Sequence, residues 1–223
     1  QAAAESAVLL RNEGVLPLST GARKLVVTGD SADSVARQLG GWSVGWQGVP
    51  NGSPAPPAVT VLQGIKAAAP STNVVSATTR ADAVAQAGDA DAVVVVLGED
   101  PGAEGEADTE EPALTADQQG LVDAVRATGK PVVVVLLTGR PQVLGTVADA
   151  PALVAGWLPG TEGGSAIADV LFGAVNPSGK LPVSWPKTVG DQPFSYDQPR
   201  GANTAAGSGY DPAFAFGHGL SYT

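Results

Sequence analysis

Hydrophobic residues in this chain come in short, nearly unbroken runs. The runs are "KLVVTG" (24–29), "NVVSAT" (73–78), "DAVVVVLG" (91–98), "PVVVVLLTG" (131–139) and "ALVAGW" (152–157), most of them dominated by Val or Leu. A strand with one wet face alternates apolar and polar residues. A continuous run instead suits a parallel strand covered on both faces. Ala-rich stretches with helical character separate the runs, at 31–39, 59–69, 81–88, 115–128 and 162–173. The fourth is well punctuated: Thr115 stands at the N-cap position, an acid, Asp117, follows in the first turn, and Gly129 lies just past the end. This alternation predicts an α/β fold, a three-layer αβα sandwich around a mostly parallel sheet of about six strands.

The opening segment "QAAAESAVLLRN" also reads as helix. Beyond about 174 the pattern changes to loops and extended chain, from "NPSGKLPVSWP" through a Gly/Ser-rich stretch to 211. "GVPNGSPAPP" (48–57) is a Pro/Gly loop, and no internal repeat stands out. The expected organisation is one domain over 1–223, with a sandwich core to about 185 and an irregular tail over about 186–223.

Composition narrows the function. The 223 residues carry a net charge of −10, although only 15% are charged. Such a chain is a poor partner for nucleic acid or an anionic membrane. No apolar run reaches eighteen residues, so no segment reads as a membrane span. Cysteine is absent, which excludes disulfides and thiolate metal sites, and His218 is the single histidine. A Ser-His-Asp triad would have to use that residue; placed between glycines in "FGHGLSYT", it reads better as structural or rim-located than as catalytic. Methionine and any signal peptide are also absent, so the sequence reads as a piece of a longer protein or a processed one.

Two stretches carry candidate chemistry. "GEDPGAEGEADTEEPAL" (98–114) places seven carboxylates, and no basic residue, directly after the third run. Ligands of open α/β sheets bind beyond the carboxyl ends of the strands, which is where this loop falls. Three readings fit: a solvated surface loop, a Ca²⁺ site without EF-hand spacing, or acid/base chemistry. Like charges raise a carboxyl's proton affinity, as a general acid requires. "GGWSVGWQG" (40–48) sets Trp42 and Trp46 four apart among glycines. Glycine lets the backbone approach a ligand, and an indole face suits the apolar C–H face of a sugar ring. "LTGRP" (137–141) is no phosphate loop, and no Gly-rich nucleotide fingerprint occurs at any strand-to-helix junction.

Together with "ESAVLLRNEGVLPL" (5–18), "PGTEGGSAIADVLFGAVNPSGKLPVSWP" (159–186) and "YDPAFAFGHGLSYT" (210–223), the Trp-containing stretch resembles glycoside hydrolase family 3, specifically its second, α/β-sandwich domain. The resemblance covers essentially the whole chain and implies a β-glucosidase or exo-acting β-glucan glucohydrolase. In that family an Asp nucleophile lies on a preceding (β/α)₈ barrel, which has no counterpart here. The acid/base is a Glu of the sandwich domain, in a motif resembling G-E-x-P-Y-x-E. Gly98, Glu99, Pro101 and Glu104 match it, with Gly102 where Tyr is common. The resemblance thus implies Glu104 as acid/base, Trp46 as a wall of the leaving-group subsite, and Trp42 as its support or a second wall. His218 stands where Tyr is commoner. It further implies β-linked glucose oligosaccharides or β-glucosides as substrates, the barrel of the same enzyme as partner, no metal or organic cofactor, and an extracellular or periplasmic location. The alternative is a non-catalytic glucan-binding or scaffolding domain.

Overall fold

The computed structural model describes residues 1–50, 53–191 and 211–223. Among the described residues six strands form one sheet: β1 (Val8–Asn12), β2 (Lys24–Thr28), β3 (Asn73–Ala77), β4 (Ala92–Gly98), β5 (Val132–Leu137) and β6 (Ala152–Ala155). Their order is β1-β6-β5-β4-β2-β3, all parallel except β1, which runs antiparallel to β6. The described residues also form α1 (Ala2–Ser6), α2 (Val35–Leu39), α3 (Val61–Ala68), α4 (Arg80–Ala87), α5 (Ala116–Arg126) and α6 (Gly163–Leu171).

The strand period of two sorts the core into two layers. Leu25, Val27, Val94, Val96, Val133 and Val135 pack against α3 and α6 on one face. Val26, Val93, Val95, Leu97, Val132 and Val134 pack against α4 and α5 on the other. Both faces are covered, so the Val runs need not alternate with polar residues. The α5 cap is as expected: Thr115 Oγ1 accepts from Gln118 N while the Gln118 side chain accepts from Thr115 N, and Gly129 turns the chain at φ +73°.

Two expected helices are corrected. The opening segment is helical only over Ala2–Ser6. Val8–Asn12 is strand because the free edge of β6 offers backbone partners to a run whose side chains Val8, Leu9 and Leu10 are fully buried. The helix expected over 31–39 begins at Val35, where Ser34 Oγ accepts from Arg37 N. Before it, Asp33 is diverted to accept from the Thr60 hydroxyl at 2.6 Å.

The tail expected over 186–223 falls partly on 192–210, outside the described residues. Residues 211–223 return to the sheet: Leu220 N donates to Leu9 O, and Trp185 exchanges backbone hydrogen bonds with Ala213 and Phe214. His218 Nε2 lies 2.7 Å from Leu10 O, and its ring stacks on Phe214 at 5.1 Å. This lone histidine fastens the C-terminal segment to β1.

The chain leaves β2 for β3 on one side, then crosses back through α4 to β4 on the other side of β2. The connections therefore diverge at the β2/β4 boundary, which opens a crevice at the carboxyl ends of these strands. The 98–114 loop rises from its β4 wall.

Candidate functional site

Arg37 and Gln118 brace the base of the acidic loop. The Arg37 guanidinium reaches Gly98 O at 3.0 Å, Asp30 at 2.9 Å and Asp100 at 2.6 Å. Gln118 Nε2 donates to Gly98 O and Asp30 Oδ2, both at 2.8 Å. The carbonyl that ends β4 is thus held from α2 and α5 at once.

The first acid after the strand is engaged inward. Arg140 Nε and Nη2 both reach Glu99 Oε2 at 2.8 Å, and the Thr138 hydroxyl contacts Oε1. The Glu99 side chain is only 18% exposed. With both oxygens occupied by protein groups, Glu99 is poorly placed to exchange protons with a ligand.

Glu104 is held differently. It is exposed, and one carboxylate oxygen, Oε2, accepts from the Trp46 indole N–H at 3.1 Å. The 40–48 loop that brings Trp46 there lies directly against residues 101–104. A Cβ added to Gly41 would come within 2.3 Å of Gly102 O, and one added to Gly48, at φ +94°, within 2.7 Å of Pro101 Cβ. Larger residues would push the two loops apart. Trp42 and Trp46 are 70% and 51% exposed, with ring centroids 6.3 Å apart and planes tilted by 48°. Neither is a core residue. Trp42 sits at φ +55°, a strained position for so large a side chain.

A cleft of about 240 Å³ lies between these loops, lined among others by Arg37, Glu99, Glu104, Asp108, Arg140 and Leu158. It offers an apolar wall at Leu158, two partly buried guanidinium groups and the exposed carboxylates of Glu104 and Asp108. Glu106, Asp108, Glu110 and Glu111 are all exposed, and among the described residues no three acids or histidines converge as a metal site requires. A larger hollow, about 670 Å³, opens beside β3. Several of its polar groups are already engaged: Thr79 and Thr115 cap helices, Arg80 pairs with Asp117, and Asp30 accepts from Gln118.

The structure brings the three residues singled out in the sequence, Trp42, Trp46 and Glu104, into one place. Sequence reasoning missed Arg37, Gln47, Arg140 and Gln118 as parts of this site. Gln47 stood in "GWQG" and Arg140 in "LTGRP", but neither spacing reveals what these side chains reach.

A mostly parallel αβα sandwich thus carries an acidic loop and a Trp pair side by side. Residues 7–222 match the glycosyl hydrolase family 3 C-terminal domain, and the chain belongs to that family. It is 38% identical over 239 residues to a lysosomal beta glucosidase of Dictyostelium discoideum, covering 99% of this chain and 29% of that protein. It is 37% identical over 269 residues to a periplasmic beta-glucosidase of Salmonella typhimurium, covering all of this chain and 34% of that protein. A solved β-glucosidase involved in saponin metabolism from intestinal bacteria superposes with a TM-score of 0.86 at 31% identity, covering 99% of this chain and 37% of that one. The chain thus spans about a third of the length of these relatives.

Proposed function

We propose that this chain is the acid/base-bearing domain of a retaining, exo-acting β-glucosidase or β-glucan glucohydrolase. Its substrates are β-glucosides or β-linked glucose oligosaccharides, and its partner is a (β/α)₈ barrel of the same enzyme. An Asp of the barrel attacks the anomeric carbon. Glu104 protonates the leaving oxygen, then takes a proton from the water that opens the glycosyl-enzyme. Trp46, with Trp42 behind it, forms the wall against which the departing sugar rests. The face carrying 40–48 and 98–111 meets the barrel. The enzyme acts outside the cytoplasm, in the periplasm or beyond, like the relative named periplasmic.

The observation that carries this reading is the contrast between two neighbouring acids. Glu99 is locked to Arg140 and Thr138, whereas Glu104 is anchored by one indole N–H and otherwise open. A general acid must be held, yet free to exchange its proton.

The test is Glu104→Gln in the full-length enzyme, assayed on a natural disaccharide and on an aryl glucoside with a good leaving group. General acid/base help is worth about 10²–10⁴-fold, so the disaccharide should lose that much while kcat/KM for the aryl glucoside falls far less. Near wild-type turnover of the disaccharide would remove Glu104 from the mechanism and favour a glucan-binding role for this domain.

A further inference from the structure

We infer that Gln47 is a positioning residue for Glu104, an inference that rests on the acid/base reading of Glu104. Its side-chain amide brackets the acid's backbone. Ala103 N–H donates to Gln47 Oε1 at 2.6 Å, and Gln47 Nε2 donates to Glu104 O at 3.4 Å. One contact lies before the Glu104 Cα and the other after it, so together they restrain where that Cα sits. Trp46, the preceding residue, holds the far end of the same side chain through Oε2. Two consecutive residues of one loop therefore grip the acid at both ends.

The rest of the acidic loop shows why such a grip matters. Gly102 precedes the gripped segment and adds backbone freedom. Beyond it, Ala107 N donates to Ala103 O at 2.9 Å and Asp108 N to Gly105 O at 3.2 Å, so the segment from 103 to 108 is wound on itself. Ala103 is the pivot: its carbonyl closes that turn, its N–H is taken by Gln47, and it is 8% exposed. Removing Gln47 leaves this buried N–H without its partner and lets the wound segment shift as a unit. A general acid works only within hydrogen-bond reach of the leaving oxygen, and a displacement of about 1 Å can cost about 10²-fold.

Because Gln47 acts through Glu104, its loss should copy the signature of losing the acid in weaker form. The experiment uses the full-length enzyme and compares kcat/KM for phenyl β-glucoside, which needs protonation, with that for 2,4-dinitrophenyl β-glucoside, which barely does. Gln47→Ala should lower the first by about tenfold to a hundredfold and the second far less. Gln47→Glu, which keeps an acceptor for Ala103 N–H, should recover part of the loss. In the Glu104→Gln background, Gln47→Ala should add little, since residues acting through one group are not additive. Equal losses on both substrates, or an additive double mutant, overturn the positioning role while a leaving-group-selective Glu104→Gln leaves the acid/base reading standing. If Glu104→Gln itself shows no leaving-group selectivity, the acid/base reading falls and this inference with it.

Discussion

The indole N–H of Trp46 donates to Glu104 Oε2 at 3.1 Å, across 58 positions of sequence. One side chain thus offers two things at once: an aromatic face open to solvent and a hydrogen-bond donor at its edge. A carboxylate on a long polar loop needs such an outside anchor, because its own loop does not fix the direction of the side chain.

Substitutions at Trp46 should separate these two contributions. Trp46→Phe keeps an aromatic face and removes the donor; Trp46→Ala removes both. Both variants should slow hydrolysis in the full-length enzyme. Only Trp46→Ala should strongly weaken oligosaccharide substrates relative to monosaccharide inhibitors, since only oligosaccharides fill the leaving-group side. Comparing KM for a disaccharide with the inhibition constant of a monosaccharide checks this. An equal loss on both, with a large drop in Tm, would make Trp46 a structural residue.

Glu99 and Glu104 should answer mutation in opposite ways. Glu99→Gln leaves the partly buried Arg140 without its counter-charge. Because the Arg140 side chain is 39% exposed, solvent screens the loss, which should be about 1–2 kcal/mol in urea denaturation. Any fall in kcat/KM should be independent of the leaving group. A leaving-group-dependent fall would transfer the acid role from Glu104 to Glu99.

Much of this fold is legible in the chain because its central strands are buried on both faces. "AVVVVLG" and "VVVVLL" allow little else than central parallel strands, and five of the six were readable from such runs. The sixth was not. "VLLRN" follows an Ala-rich segment and is strand only because β6 has a free edge, which is a tertiary fact. The same limit holds at the site. Glu104 and Trp46 could be marked from motif resemblance, but their contact depends on two loops whose glycines let backbones touch, Gly41 against Gly102 and Gly48 against Pro101. Arg37 lies on a helix of five residues, and its spacing does not reveal that it spans Asp30, Gly98 and Asp100. Long polar side chains that close a site from neighbouring elements leave no periodic trace.

Acid should destabilise the fold at the end of the sheet opposite the cleft. Backbone N–H groups of Lys24 and Arg23 hold the Asp91 carboxyl below its ordinary 3.8, at 3.1 and 2.6 Å respectively. Asp89 is lowered by its hydrogen bond from Lys24. A depressed folded-state value means the unfolded chain binds protons first as pH falls. The stabilisation is therefore complete above the unfolded value of 3.8 and is lost as pH drops through the lower folded value. Tm recorded from neutral pH down to about pH 3 should fall at the acid end, and Asp91→Asn should flatten that fall. A mutant with the same acid slope as wild type would show that other carboxylates set it.

The chain of 223 residues, made alone, should fold cooperatively and hydrolyse no β-glucoside. Folding follows from the two apolar clusters: each face of the sheet is already covered by this chain's own helices, and the fully buried Val93–Leu97 and Val132–Leu137 segments have neighbours on both sides. Chemistry is another matter. Retaining hydrolysis requires two carboxyls about 5–5.5 Å apart, one to attack and one to donate a proton. Beside Glu104, the nearest acid in sequence with a defined inward position is Glu99, and its oxygens are taken by Arg140 and Thr138. The remaining acids of the loop are exposed, and Asp100 is paired with Arg37. An acid without a nucleophile cannot form a glycosyl-enzyme. The measurement is an aryl β-glucoside assay on the purified chain, with Glu104→Gln as the contamination control and a separately produced barrel added in a parallel sample. Turnover should arise only with the barrel present. Activity in the isolated chain that disappears in Glu104→Gln would mean the chain holds its own nucleophile, and the division of the two carboxylates between two domains would be wrong.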